Sequence, residues 1–137
     1  MPENFQWGLK RVRKTNRREA SKRGLLVIEP RSNELQIDID GARAMRHYSK
    51  QYAILERGGQ TRGWKETLKP SHTKGHAHIT IRLPRSITDL KRVCLQAILG
   101  SDPSREAFNY VRVQNRNRYP IVFFEKKSVF AIENETR

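Results

Sequence analysis

Two stretches of strict two-residue alternation constrain the architecture more tightly than anything else in this 137-residue chain. In Glu34-Leu35-Gln36-Ile37-Asp38-Ile39-Asp40, the aliphatic residues Leu35, Ile37 and Ile39 fall on one side and Gln36, Asp38 and Asp40 on the other. From His76 to Leu83 the pattern repeats, with Ala77, Ile79, Ile81 and Leu83 opposed to His76, His78, Thr80 and Arg82. Such a period predicts β-strands that bury one face and present polar groups on the other. Gly41 closes the first strand and Pro84 the second.

Other segments read as follows. Leu25-Leu26-Val27-Ile28, ended by Pro30, predicts a short strand. Between Ala42 and Glu56, Ala44, Met45, Tyr48, Tyr52 and Leu55 recur at helical spacing, and Gly58-Gly59 stops the run. Trp64 to Lys69 predicts a strand, followed by the loop Pro70-Ser71-His72-Thr73-Lys74-Gly75. Ser86 as N-cap, with Asp89 three residues on, opens a helix whose expected apolar set is Ile87, Leu90, Val93, Cys94, Ala97 and Ile98, ended by Gly100. Ser101-Asp102-Pro103 starts another, running through Ala107, Phe108, Tyr110 and Val111. Pro120 to Phe124 reads as the last buried strand.

From Glu34 onward the order is βαββαβ, which favours an α+β fold: a ferredoxin-like or RRM-like sheet with helices on one face. A right-handed crossover makes the first two strands parallel, and the hairpin lays the third antiparallel beside the first. The Asp38/Asp40 end of one strand is then expected opposite the His76/His78 end of another.

Lys and Arg outnumber Asp and Glu by 28 to 14, a formal net charge of +14, which is the footprint of a polyphosphate partner. Hydrophobic content of 36% against 31% charged places the chain among folded proteins rather than disordered ones. No stretch joins a basic face to a broad apolar one, and no apolar run approaches a membrane span, so the expectation is an intracellular, cytoplasmic protein without membrane contact. Cys94, the single cysteine, excludes an intramolecular disulfide and a thiolate zinc cluster and reads as a buried helix position. Residues 1–23 form a basic arm in which Lys10, Arg11, Arg13, Lys14, Arg17 and Arg18 are candidate nucleic-acid contacts. Residues 24–137 are expected to make one domain.

Asp38 and Asp40, about 6.5 Å apart along one strand face, can offer hard oxygens to Mg²⁺ or Mn²⁺, with water and substrate phosphates completing the shell. His76 and His78 share a face and can take a metal or a phosphate. Lys74, Ser71 and the free amides near Gly75 suit a triphosphate.

These motifs resemble the catalytic core of the archaeo-eukaryotic primase superfamily, of the small type carried by phages and plasmids. Ile37-Asp38-Ile39-Asp40 is similar to its Asp-x-Asp strand end, and Ser71-His72-Thr73-Lys74-Gly75-His76-Ala77-His78-Ile79 to its Ser- and Gly-containing loop that leads to a His. Leu99 to Arg105 and Tyr119 to Phe124 look similar to the later part of small phage proteins of this kind. The resemblance implies a primase or primase-polymerase acting in DNA replication on single-stranded or primed nucleic acid and nucleoside triphosphates, with a helicase or another replication protein as a further partner. It also implies that Asp38 and Asp40 hold the metal and that His78, with Ser71, Lys74 and His76, holds the incoming phosphates. Arg105, Lys126 and Lys127 are further candidates for triphosphate or template contacts. Where the family's third carboxylate falls by order, this chain has Asn109, and the nearest carboxylate is Asp102.

Two other readings use the same residues. His76-Ala77-His78 also fits the His-hydrophobic-His triplet of Rep, relaxase and small-transposase endonucleases, with Tyr110 as the nucleophile. A catalytically inactive sheet that binds single strands is the other, although carboxylates and histidines stand where such modules carry stacking aromatics.

Overall fold

The computed structural model describes residues 25–70, 75–118 and 120–126. The described residues fall into two compact units. One contains Leu25–Ile28 and Phe123–Lys126, and the other is Glu29–Val122. In the first, strand β1 (Leu25–Ile28) pairs antiparallel with strand β5 (Phe123–Lys126), in a register running from Leu25 opposite Lys126 to Ile28 opposite Phe123.

The second unit holds strand β2 (Glu34–Asp40), helix α1 (Gly41–Arg57), strands β3 (Lys65–Pro70) and β4 (His76–Arg82), and helices α2 (Asp89–Ile98) and α3 (Pro103–Gln114). Its sheet has three antiparallel-paired strands in the order β2-β4-β3, so β4 lies between two strands that run parallel to each other. The fold is therefore α+β: a small three-stranded antiparallel sheet with three helices. Among the described residues no helix is long and apolar enough to cross a membrane.

Alternation acts here as anticipated. Leu35, Ile37 and Ile39 of β2 and Ile79 and Ile81 of β4 form one buried cluster with Leu83, Tyr48 of α1 and Leu99, flanked by Ala44, Met45, Tyr52, Leu55 and Leu95. Gly41 turns the chain from β2 into α1 at φ +87°, where a side chain would be strained. Tyr48 donates to the Glu66 carboxylate, and a tilted contact of Tyr48 with Tyr52 and an edge contact of Tyr52 with Trp64 tie α1 to the start of β3.

The outer edge of β2 is closed by side chains rather than by a strand. Arg92 Nε donates to Glu34 O (2.7 Å), Gln36 N–H donates to Gln96 Oε1 (2.8 Å), and Arg105 Nη1 donates to Gln36 O (2.8 Å). Asp38 N–H donates to Ser101 Oγ (2.9 Å), and Asp102 N–H donates to Asp38 O (2.8 Å). A fourth strand on this edge would need the same backbone groups, and the helical pair α2–α3 already satisfies them. The last strand is accordingly Phe123–Lys126 paired with β1, not Pro120–Phe124 in the central sheet, while Pro120, Ile121 and Val122 are buried outside any strand.

That edge also sets which helix residues are buried, and in α2 only part of the expected apolar set turns inward. In α2 the buried residues are Arg92, Val93 and Gln96, whereas Leu90, Cys94, Ala97 and Ile98 are exposed, so Cys94 is a surface thiol. In α3 Glu106, Asn109 and Arg112 are buried, while Ala107 and Tyr110 are exposed. The N-cap of α2 is Thr88, whose side chain accepts from Lys91 N–H. Ser86, the expected cap, shares a hydrogen bond with Ser32. Asp102 caps α3, with Pro103 in its first turn, as its sequence predicts.

Candidate active site

In the antiparallel register of β2 and β4, Asp38 stands opposite His78 and Asp40 opposite His76. Directly opposed residues share a sheet face, so the four project together from the face opposite the aliphatic core. Lys69 of β3 lies opposite His78 on its other side and continues the row across the sheet as Asp38, His78, Lys69. His76 Nε2 is 2.9 Å from Asp40 Oδ1, and His78 Nε2 is 3.6 Å from Asp38 Oδ1.

The two pairs differ in environment. Asp40 is 59% exposed and His76 29%, whereas Asp38 is 23% exposed and His78 6%. Asp40 is also the residue before α1, but its side chain makes no capping bond to the helix. Burial raises the Asp38 carboxyl above its ordinary value. Arg105 and His76 pull it back, and Asp102 and Asp40 push it further up. Oδ1 of Asp38 is buried and accepts no hydrogen bond.

That oxygen is the observation on which a divalent cation fits this site: a buried carboxylate oxygen without a donor is an available hard ligand. Among the described residues no three His, Cys, Asp or Glu side chains converge as a ready-made metal cage. The protein's share would be Asp38 and Asp40, which suits Mg²⁺ or Mn²⁺, ions that keep several water or phosphate ligands.

Other residues marked in the sequence have different places. Arg105, expected at the phosphates, spends its guanidinium on protein: besides Gln36 O, it donates to Glu106 Oε2 (2.6 Å), Ser101 Oγ (3.3 Å) and Val122 O (3.0 Å). It acts on Asp38 through its charge and by holding the β2 edge. Asn109 is fully buried, donates to Glu106 Oε1 (2.9 Å) and accepts from Arg112 Nη2 (2.6 Å), so it belongs to a polar core network. Burial and the nearby Arg105 cation lower Arg112 to about 10. Asp102 is close enough to repel Asp38, but its Oδ2 caps Arg105 N–H (3.0 Å). Tyr110 is 47% exposed on α3. Lys126 lies in β5, in the other unit. Ser71, Lys74, Lys127 and the cations Lys10, Arg11, Arg13, Lys14, Arg17 and Arg18 lie outside the described residues.

Sequence reasoning missed Gln96, Ser101 and Glu106, which set the position of Asp38 through the β2 edge. The available signal was polar residues at three-residue spacing, Glu106, Asn109 and Arg112, on a helix whose apolar residues form no full stripe. No family model, no curated protein and no solved structure matches the chain, so its reading rests on this geometry.

Proposed function

We propose that this chain is a metal-dependent nucleotidyltransferase of primase or primase-polymerase type, acting in DNA replication on single-stranded or primed nucleic acid with nucleoside triphosphates. The observation that carries the reading is the opposed register of two acidic and two imidazole side chains, with a buried oxygen of Asp38 left without a donor. A ferredoxin-like sheet belongs to the same proposal: β2, α1, β3 and β4, with β4 inserted between parallel strands, follow the first half of that arrangement.

In this reading Asp38 and Asp40 hold Mg²⁺ or Mn²⁺, which when bound neutralises phosphate charge and lowers the pKa of the attacking hydroxyl. Asp38, clamped through both its backbone N–H and its C=O, keeps one carboxylate fixed for an in-line displacement at the α-phosphate. His78 and His76 donate to phosphate oxygens, and the primase resemblance adds Ser71 and Lys74 to that role. Of the two imidazoles His78 is the more buried and so the more restricted.

The test is extension of a primed single strand with labelled nucleoside triphosphates in Mn²⁺ or Mg²⁺, for the wild type and for Asp38→Asn, Asp40→Asn. Metal-dependent extension that falls by about 100-fold or more in the variant is expected, the scale of losing an electrostatic stabiliser at a reacting centre. Strand cleavage with a covalent adduct abolished by Tyr110→Phe would transfer the site to the His-hydrophobic-His endonucleases. Binding with neither reaction would leave an inactive single-strand-binding core.

A further inference from the structure

Helix α1 carries a feature that the site does not use. Arg43, Arg46, Lys50 and Arg57 are all exposed. At about 100° per residue they fall within ~60° of arc, centred opposite the face that carries Ala44, Tyr48, Tyr52 and Leu55. Against the sequence expectation, α1 therefore does join a basic face to an apolar one, and the apolar one packs on the core. No acidic residue of α1 shares that arc, because Glu56, its only one, lies far round the helix. Among the described residues none of the four cations is in an ion pair.

An ordinary solvated helix face interleaves both signs and places acids in its first turn. Here the first turn has no acid, Arg43 stands in it, and the side chain of Asp40, the preceding residue, makes no cap and lies against His76 instead. A cation at that end opposes the helix dipole, so α1 keeps Arg43 at a local cost.

We infer that the Arg43, Arg46, Lys50 and Arg57 face of α1 is a binding track for the sugar-phosphate backbone of nucleic acid, separate from the candidate active site. From Arg43 to Arg57 it runs about 21 Å, long enough to meet several successive phosphates. It lies on the side of the helix away from the sheet, whereas Asp38 and His78 lie on the opposite sheet face. The track therefore anchors strand remote from the reacting end, and its contacts carry no base specificity. The inference rests on a nucleic-acid partner, not on nucleotidyl transfer.

The experiment is anisotropy of a labelled single-stranded DNA with the full chain across a salt series. It compares Arg43→Gln, Arg46→Gln, Lys50→Gln with a control of equal charge change at exposed positions elsewhere, Arg85→Gln, Lys91→Gln, Arg116→Gln. Each phosphate contact contributes about 0.7 to the slope of log affinity against log salt on single strands, so the α1 variant is expected to lose about 2 and the control much less. Its melting temperature should hold or rise as dipole repulsion is removed, which separates lost contact from lost fold. Equal losses in both variants, or no loss in the α1 variant, would overturn the track. Failure of strand extension with this slope difference intact would reject the transferase and leave the track standing.

Discussion

At the scale of the residue, Asp38 is where stability and chemistry conflict. Its carboxyl is raised above the ordinary 3.8, first by burial. A raised acid favours the fold in its protonated form. That contribution is complete below the unfolded value and is lost as pH rises through the folded one, so at neutral pH the ionised carboxylate weakens the protein. Asp38→Asn is expected to raise the melting temperature at pH 7, with the gap to wild type closing as pH falls below the carboxylate range. Saturating Mn²⁺ should stabilise the wild type by about 2.7 kcal/mol at a hundredfold excess over its dissociation constant and leave Asp38→Asn unmoved. A lower melting temperature for Asp38→Asn at pH 7 would mean that the carboxylate is structural. The pairing behind this was legible in the sequence: strand parity puts Asp38 and Asp40 on one face, and the crossover with its hairpin brings His78 and His76 opposite them. The engagement of Arg105 was not, because its partners include the backbone carbonyls of Gln36 and Val122, which no side-chain pattern announces.

At the scale of the element, α2 and α3 depart from the rule that a helix buries its apolar stripe. Their inward residues carry donors and acceptors because what they meet is the open edge of β2, a row of backbone amides and carbonyls. Periodicity therefore located both helices and placed Val93 of α2 correctly, but it also put Leu90, Cys94, Ala97 and Ile98 on the buried side: hydrophobicity marks contact with side chains, not with a strand edge. The energetic consequence is an inversion of the usual mutational pattern. Gln96→Leu leaves Gln36 N–H without its partner and removes one of the two donors to Glu106 Oε1, and is expected to cost about 1–3 kcal/mol. Arg105→Met strands Glu106 as a buried charge and should cost about 3–5 kcal/mol. Leu90→Ser and Cys94→Ser, at exposed positions of the same helix, should stay within about 0.5 kcal/mol of wild type. Urea midpoints measure all four, and a Leu90→Ser cost above that of Gln96→Leu would mean that α2 is turned the other way.

At the scale of the whole molecule, the question is which part of the chain sustains the fold. Every buried residue of the aliphatic cluster, from Leu35 to Leu99, lies within Glu29–Val122, and so do the closed β2 edge and the opposed Asp and His pairs. A two-stranded ladder such as β1–β5 is at best marginal by itself, while three strands with an apolar face against helices are enough for independent stability. The sequence made β1 and β5 legible as strands but not their partnership, since the pairing spans nearly the whole chain and no local pattern encodes it. A fragment of residues 29–122 is therefore expected to unfold in one cooperative urea transition, with the Gln96→Leu penalty undiminished. Penalties of independent elements add, so the same cost in fragment and full chain would locate the stabilising network inside Glu29–Val122. A fragment without a cooperative transition would instead make the β1–β5 ladder a condition of folding, because the aliphatic cluster and the closed edge would both be present and still insufficient.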